Sequence, residues 1–479
     1  MKKYQLSIMV FLSALIFFAA GDLFAGKILY DDFSSEYLDG KKWFQRNYVR
    51  EIVNGQFVSK LGNRSPGMDA EVAPGVFRNN LSFANPETIN SIECEITIVD
   101  TKLDSATDAK SFARIAGYFY SKNETGGATG DILAQIMIGD QGNGKVEAFW
   151  EVQEMLTDDT RTWSIIGSGT ISDFDTSKID PPYKVKLSYD GDKTFSFIVN
   201  ELYTDSYMGP IKKRAAVTFW KGISTGINAT NGSNSGYVSA KFDNVYINAE
   251  TTVYDDFSSD LIDLTKWESS EWVREPSNGY LRVNSIGYGS TQTANTVLTE
   301  GDAPYLEAKV FIDSASQMSD GAWGIGRLQG YYYNDSRGPG SGQSYNRYEG
   351  DVFAQIWLRY NSNGTLSANA YVDRSNAADE TNYTNLFTHD FSVPINIDTY
   401  YTLSIRLKGM KLLFQCDGEM AEYDIATHKY PAYGEHRLLR SRVYLDPGEM
   451  GYIKVRFDDV YIESKGKLNP STTFLLLGE

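Results

Sequence analysis

Tyr30-Asp31-Asp32-Phe33-Ser34-Ser35 recurs letter for letter as Tyr254-Asp255-Asp256-Phe257-Ser258-Ser259. The match continues outward through Asp39 and Asp263, Lys42-Trp43 and Lys266-Trp267, Val49-Arg50-Glu51 and Val273-Arg274-Glu275, and Asn54-Gly55 and Asn278-Gly279. The far ends agree as well, with Phe242-Asp243-Asn244-Val245-Tyr246-Ile247 against Phe457-Asp458-Asp459-Val460-Tyr461-Ile462. Self-similarity at a fixed distance marks a duplicated unit. The chain reads as two tandem domains, 26–249 and 252–465, and the connection from Asn248 to Thr252 is too short for a flexible tether.

Within each copy the period is two. Ile92, Cys94, Ile96 and Ile98 alternate with polar residues, as do Leu306, Ala308, Val310 and Ile312. Asn143-Gly144, Asn363-Gly364, Asp190-Gly191 and Asp417-Gly418 are hairpin signals, and no segment of useful length has a helical period. The expectation is all-β: two tandem antiparallel β-sandwiches of the jelly-roll kind. Cys94 and Cys416 fall in apolar phases of different copies, which predicts buried free thiols and leaves an inter-domain bridge as the alternative.

Lys2 and Lys3, the apolar run Ile8 to Ala20 and the small residues after it have the layout of a secretory signal peptide over 1–25. Its removal takes away Lys2, Lys3 and Asp22 and moves the formal charge from −17 to −18. Such acidity disfavours nucleic acid and anionic membranes as partners. The last residues, 466–479, read as a tail whose apolar stretch is too short to span a bilayer. A secreted protein, extracellular, periplasmic or on the surface of a bacterial cell, is expected.

Two strands separate their phases cleanly. In Gly130 to Ile138 the apolar phase is Ile132, Ala134, Ile136 and Ile138, and the other phase carries Asp131, Leu133, Gln135 and Met137. In Gly350 to Leu358 the second phase is Asp351, Phe353, Gln355 and Trp357. The preceding strands add Arg114, Tyr118 and Tyr120, and Arg327, Tyr331 and Tyr333. The following strands add Glu147, Phe149 and Glu151, and Ser367, Asn369, Tyr371 and Asp373. Aromatics beside Arg, carboxylates and amides suit sugars, whose rings offer apolar faces and fixed hydroxyls. A half-exposed antiparallel face is also rich in such residues without any ligand.

The Asp-Asp-Phe opening, Leu38-Asp39, Lys42-Trp43 and the Phe-Asp-Asn-Val-Tyr-Ile ending resemble the concanavalin A-like lectin/glucanase superfamily, in its family 16 glycoside hydrolase-like or laminin G-like form. In family 16 a central strand carries the paired carboxylates of a retaining mechanism. On the register set by Asp131 and Asp351, the resemblance places Gln135 and Gln355 where the second carboxylate belongs, so that mechanism is absent from both copies. The alginate lyase kind of jelly roll is similar in its Gln-Ile pair, but Met137 and Trp357 stand where its His is expected. That alternative leaves Arg114 or Arg327 as charge neutraliser and Tyr118 or Tyr331 as base.

The three histidines, His389, His428 and His436, all lie in the second copy and lack metal spacing. The resemblance implies one structural calcium ion per domain, held through Asp32, Gly55 and Asp243 in the first and Asp256, Gly279 and Asp458 in the second. Turn-capping or pairing with Arg50 or Arg274 is the other reading of these aspartates. The expected function is non-catalytic binding of extracellular polysaccharide on the concave sheet face. A divergent glycan-cleaving enzyme and a structural surface protein are the rivals.

Overall fold

Among the described residues, the elements are antiparallel strands and one 3-10 turn at Pro86–Thr88. The computed structural model describes 26–463 except 63–74, 105–108, 159–161, 172–173, 178, 230–234, 316–321, 337–347, 377–381, 429 and 434–435. The signal segment 1–25 and the tail 466–479 lie outside the described residues. No helix among those described is long and apolar enough to cross a membrane.

Two six-stranded sheets have the same order of strands. One runs Gly75–Ser82, Lys221–Ala229, Lys110–Ser121, Asp131–Asp140, Val146–Met155 and Trp163–Thr170. The other runs Gln292–Val297, Arg437–Tyr444, Trp323–Asn334, Asp351–Asn361, Leu366–Ser375 and Tyr383–Asp390. Each packs its apolar phase against one half of a third sheet, which is continuous through both halves of the chain. The fold is that of concanavalin A-like jelly-roll sandwiches.

The continuous sheet crosses between halves where Tyr48–Val53 pairs with Trp272–Ser277. Trp272 lies opposite Arg50, Val273 opposite Val49, and Arg274 opposite Tyr48, a reciprocal register about a local twofold axis. Charges close the seam. Arg282 reaches Glu51 at 2.6 Å and Glu275 at 2.7 Å, and Lys60 reaches Glu275 at 2.8 Å.

The packing units differ from the linear repeats at one end. Ile28–Asp31 pairs with Met450–Glu463, and Tyr30, Phe33, Leu38 and Trp43 join the core of the second sandwich. Reciprocally, Phe257, Ile262 and Trp267 complete the core of the first. The opening segment of each copy thus serves the other. The physical reason lies in the repeat itself: two near-identical openings fit either core, and the short connection leaves the second opening beside the first sandwich, where Val245 bridges Asp255. Burying four such side chains is worth on the order of 10 kcal/mol, comparable to the whole stability of a domain.

The repeated sextet is explained by this role. Asp31 accepts the indole N–H of Trp43 at 2.6 Å, and Asp255 accepts that of Trp267 at 2.6 Å. Phe33 and Phe257 stack on the same tryptophans. Both cysteines are free and buried, and burial pushes the Cys416 thiol up to about 12.

Candidate functional site

The face of each six-stranded sheet turned away from the core is ordered by strand register. On the first, the row Asn80, Ser224, Arg114, Met137, Phe149 and Thr170 runs across neighbouring strands. Arg114 donates to Ser224 Oγ at 2.8 Å and to Gln135 Oε1 at 2.5 Å. Gln135 passes the chain on, donating to Glu151 at 2.8 Å, and Glu151 also accepts from Gln153 at 2.9 Å and pairs with Lys110 at 2.5 Å. Each polar group in the chain has a partner, and little of it meets solvent: Gln135 is 1% and Glu151 2% exposed. Phe112, Met137 and Phe149 form a buried cluster beside it. Burial pushes the Arg114 guanidinium down to about 10 and the Tyr118 phenol up.

The second face repeats the chain with different surroundings. Arg327 donates to Gln355 Oε1 at 2.6 Å, Gln355 donates to Asp373 at 3.0 Å, and Asn385 donates to Asp373 at 2.9 Å. The row here is Asn295, Arg440, Arg327, Trp357, Asn369 and Asp390. Trp357 donates its indole N–H to Asn369 at 3.1 Å and lies 4.4 Å from the Tyr371 ring. Toward one end, Trp323 stacks on Tyr444 with ring centroids 3.6 Å apart. Arg359 covers Trp323 at 4.4 Å and Arg442 covers Tyr444 at 4.1 Å. Arg359, Arg440, Arg442, Trp323, Tyr371 and Tyr444 are all half-buried, so this face keeps aromatic and cationic surface in water.

The structure brings Arg114, Tyr118 and Gln135 together on one face, and Arg327, Gln355 and Trp357 on the other. Four expectations are corrected. Tyr120 and Tyr333 point into the cores. A bulge shifts the register so that Tyr118 opposes Leu133 but Tyr120 opposes Ile132, and likewise Tyr331 opposes Phe353 but Tyr333 opposes Val352. The extra residue reverses the side-chain phase. Asp131 and Asp351 are fully buried anchors for loops. Asp131 accepts from the Val217 and Thr218 N–H groups at 2.8 Å, and Asp351 from Asn334 at 2.8 Å and Tyr433 N–H at 3.0 Å. Tyr331 is on the expected face but wholly covered, packed with Phe353 and Ala432, whereas Tyr118 is half-buried.

The residues that sequence reasoning missed are Lys110, Trp323, Arg359, Arg440, Arg442 and Tyr444. For Arg440, Arg442 and Tyr444 the signal was available in Arg440-Ser441-Arg442-Val443-Tyr444, where large polar or aromatic residues alternate with a small and an apolar one.

The expected cation residues are regrouped by the segment exchange. Asp243 is held up from its ordinary range by burial, with Glu95 and Asp256 among the charges acting on it, and Asp458 is raised likewise, with Asp32 among its neighbours. Gln56, next to the Asn54-Gly55 turn, donates to Asp243 at 3.4 Å, and Gly279 shares a cleft with Phe33 and Ser34. The aspartate pairs are therefore Asp243 with Asp256, and Asp458 with Asp32, each drawn from both copies. Asp32 and Asp256 also cap their own turns at Ser34 and Ser258. Among the described residues no group of three or more His, Cys, Asp or Glu is placed to hold a metal ion. Backbone carbonyls and water would have to supply the remaining ligands, a set that suits calcium better than a transition metal.

No family model matches the chain, and no curated protein matches its sequence. Among solved structures, LamAcat from Zobellia galactanivorans is similar at 14% identity and a TM-score of 0.27, over 40% of this chain and 79% of that one. The kappa-carrageenase from Pseudoalteromonas carrageenovora, in complex with an oligotetrasaccharide of kappa-carrageenan, is similar at 14% identity and a TM-score of 0.24, over 39% and 82%. Alginate lyase Aly36B is similar at 14% identity and a TM-score of 0.26, over 40% and 83%.

Proposed function

We propose that the protein binds polysaccharide on the outer sheet faces without cleaving it, and that the second face is the principal site. The observation that carries this is the half-exposed platform of Trp323, Tyr371 and Tyr444, set beside amide and guanidinium donors fixed by cross-strand hydrogen bonds. Half-exposed aromatic side chains give sugar rings apolar contact, and rigid donors select hydroxyl positions.

The absence of cleavage is supported by the central strands. Gln135 and Gln355 hold no titratable proton, and the carboxylates beside them, Glu151 and Asp373, are each occupied as acceptors of two side-chain hydrogen bonds. One observation favours the rival reading: on the first face the Tyr118 phenol is half-buried and lies close enough to Arg114 for that charge to act on it. Both readings are tested by incubating the protein with alginate, laminarin and agar while measuring binding and product release. Retention of polysaccharide with no shortening supports binding. Product release that Tyr118→Phe abolishes supports cleavage.

Each regrouped aspartate pair is further proposed to hold one calcium ion. The ion would clamp an opening segment to the sandwich it completes.

A further inference from the structure

We infer that the second face recognises an anionic polysaccharide, one with carboxylate or sulfate groups along its chain. This deepens the binding reading above and rests on it.

Register makes Arg327 the counterpart of Arg114, and the residues around it then correspond one to one. Where the first sheet has Ser224, Gly226 and Gly139, the second has Arg440, Arg442 and Arg359. The first copy has no cation of its own at these three positions, although Arg78, from the edge strand, lays its guanidinium beside Gly226. Arg440 lies directly opposite Arg327, and like charges across a strand pair are destabilising. In a chain of net charge −17, four guanidinium groups are gathered on one face whose carboxylates, among the described residues, are Asp373 and Asp390. Asp373 is already engaged by Gln355 and Asn385, and Asp390 by Asn369. Among the described residues, the buried Nε atoms of Arg359 and Arg442 have no hydrogen-bond acceptor.

Geometry fits a polymer. Neighbouring strands are about 4.8 Å apart, so Arg440 and Arg327 are spaced by one strand and Arg442 and Arg359 by two, roughly 5 and 10 Å across the sheet. Arg359 covers the Trp323 ring and Arg442 the Tyr444 ring, so the exposed aromatic edges of this stacked pair adjoin the cations. Guanidinium is the group best shaped to take carboxylate or sulfate oxygens in pairs.

The test uses the full chain in binding titrations at low and high salt against five probes: alginate for carboxylate, dextran sulfate for sulfate, dextran and laminarin as neutral glycans, and polyglutamate as a polyanion without sugar. The expected result is binding to alginate, dextran sulfate or both, weakened by salt, with the neutral glycans and polyglutamate at least tenfold weaker. Preference between the first two names the anion. Arg359→Gln with Arg442→Gln should weaken binding about tenfold, while Lys411→Gln, an exposed lysine outside this face, should not. Should the glutamine pair melt early, Arg359→Lys with Arg442→Lys keeps the charge and is expected to retain the salt dependence with reduced affinity. Equal affinity for neutral and anionic glycans, insensitive to salt, would overturn this inference and leave polysaccharide binding standing. Equal binding of polyglutamate would overturn it too, and no binding of any glycan would overturn both.

Discussion

Asp31 accepts the Trp43 indole proton at 2.6 Å inside the core of the second sandwich, although both residues belong to the first repeat. Asp255 and Trp267 do the same in the first sandwich. Each half of the protein is thus completed by the other, and the two cannot be separated without opening both cores.

Trp43→Ala is accordingly expected to cost about 3–5 kcal/mol, the range for removing a buried aromatic. The effect should fall on the distant half of the chain. In hydrogen exchange, protection should drop in Met450–Glu463 and its neighbours before it drops in the strands of the first sandwich. Loss confined to the first sandwich would contradict the exchange.

Glu271 sits at the seam, where it accepts the Ile52 N–H at 2.9 Å, and burial lifts its carboxyl to about 7. An acid whose folded pKa is raised binds its proton more readily in the folded state, so stability falls as pH rises from the ordinary value near 4.5 to about 7. The full difference, on the order of 3 kcal/mol, is present above that window. Glu271→Gln should raise the melting temperature at pH 8 and leave it nearly unchanged at pH 4, as scanning calorimetry at the two values would reveal.

If calcium clamps the exchanged segments, chelation should lower the melting temperature, and Asp243→Ala with Asp458→Ala should remove that sensitivity. The raised carboxyls of Asp243 and Asp458 give the same expectation with pH, since cation affinity falls as the groups protonate. A melting curve indifferent to chelator would refute the clamp.

Much of the scaffold was legible because two-residue periodicity is a local property. Ile132, Ala134, Ile136 and Ile138 face the core as their alternation required. The positions of Tyr120 and Tyr333 were not legible: the bulges before them come from the pairing of two strands, and no turn residue announces them. Segment exchange was hidden for a different reason. Identical openings carry the same core pattern whichever sandwich receives them, so only the path of the chain distinguishes the two arrangements. On the second face, Gln355 and Trp357 could be found from their own strand, whereas the significance of Arg359, Arg440 and Arg442 emerges only when register sets them against Gly139, Ser224 and Gly226.

Binding without cleavage on the second face is decided by titrating the full chain with alginate while tryptophan emission and polysaccharide length are followed together. The predicted result is a saturable emission change, diminished in Trp323→Phe, with the polysaccharide left at its original length. Steady shortening of the polysaccharide, or an emission change that Trp323→Phe leaves intact, would contradict it.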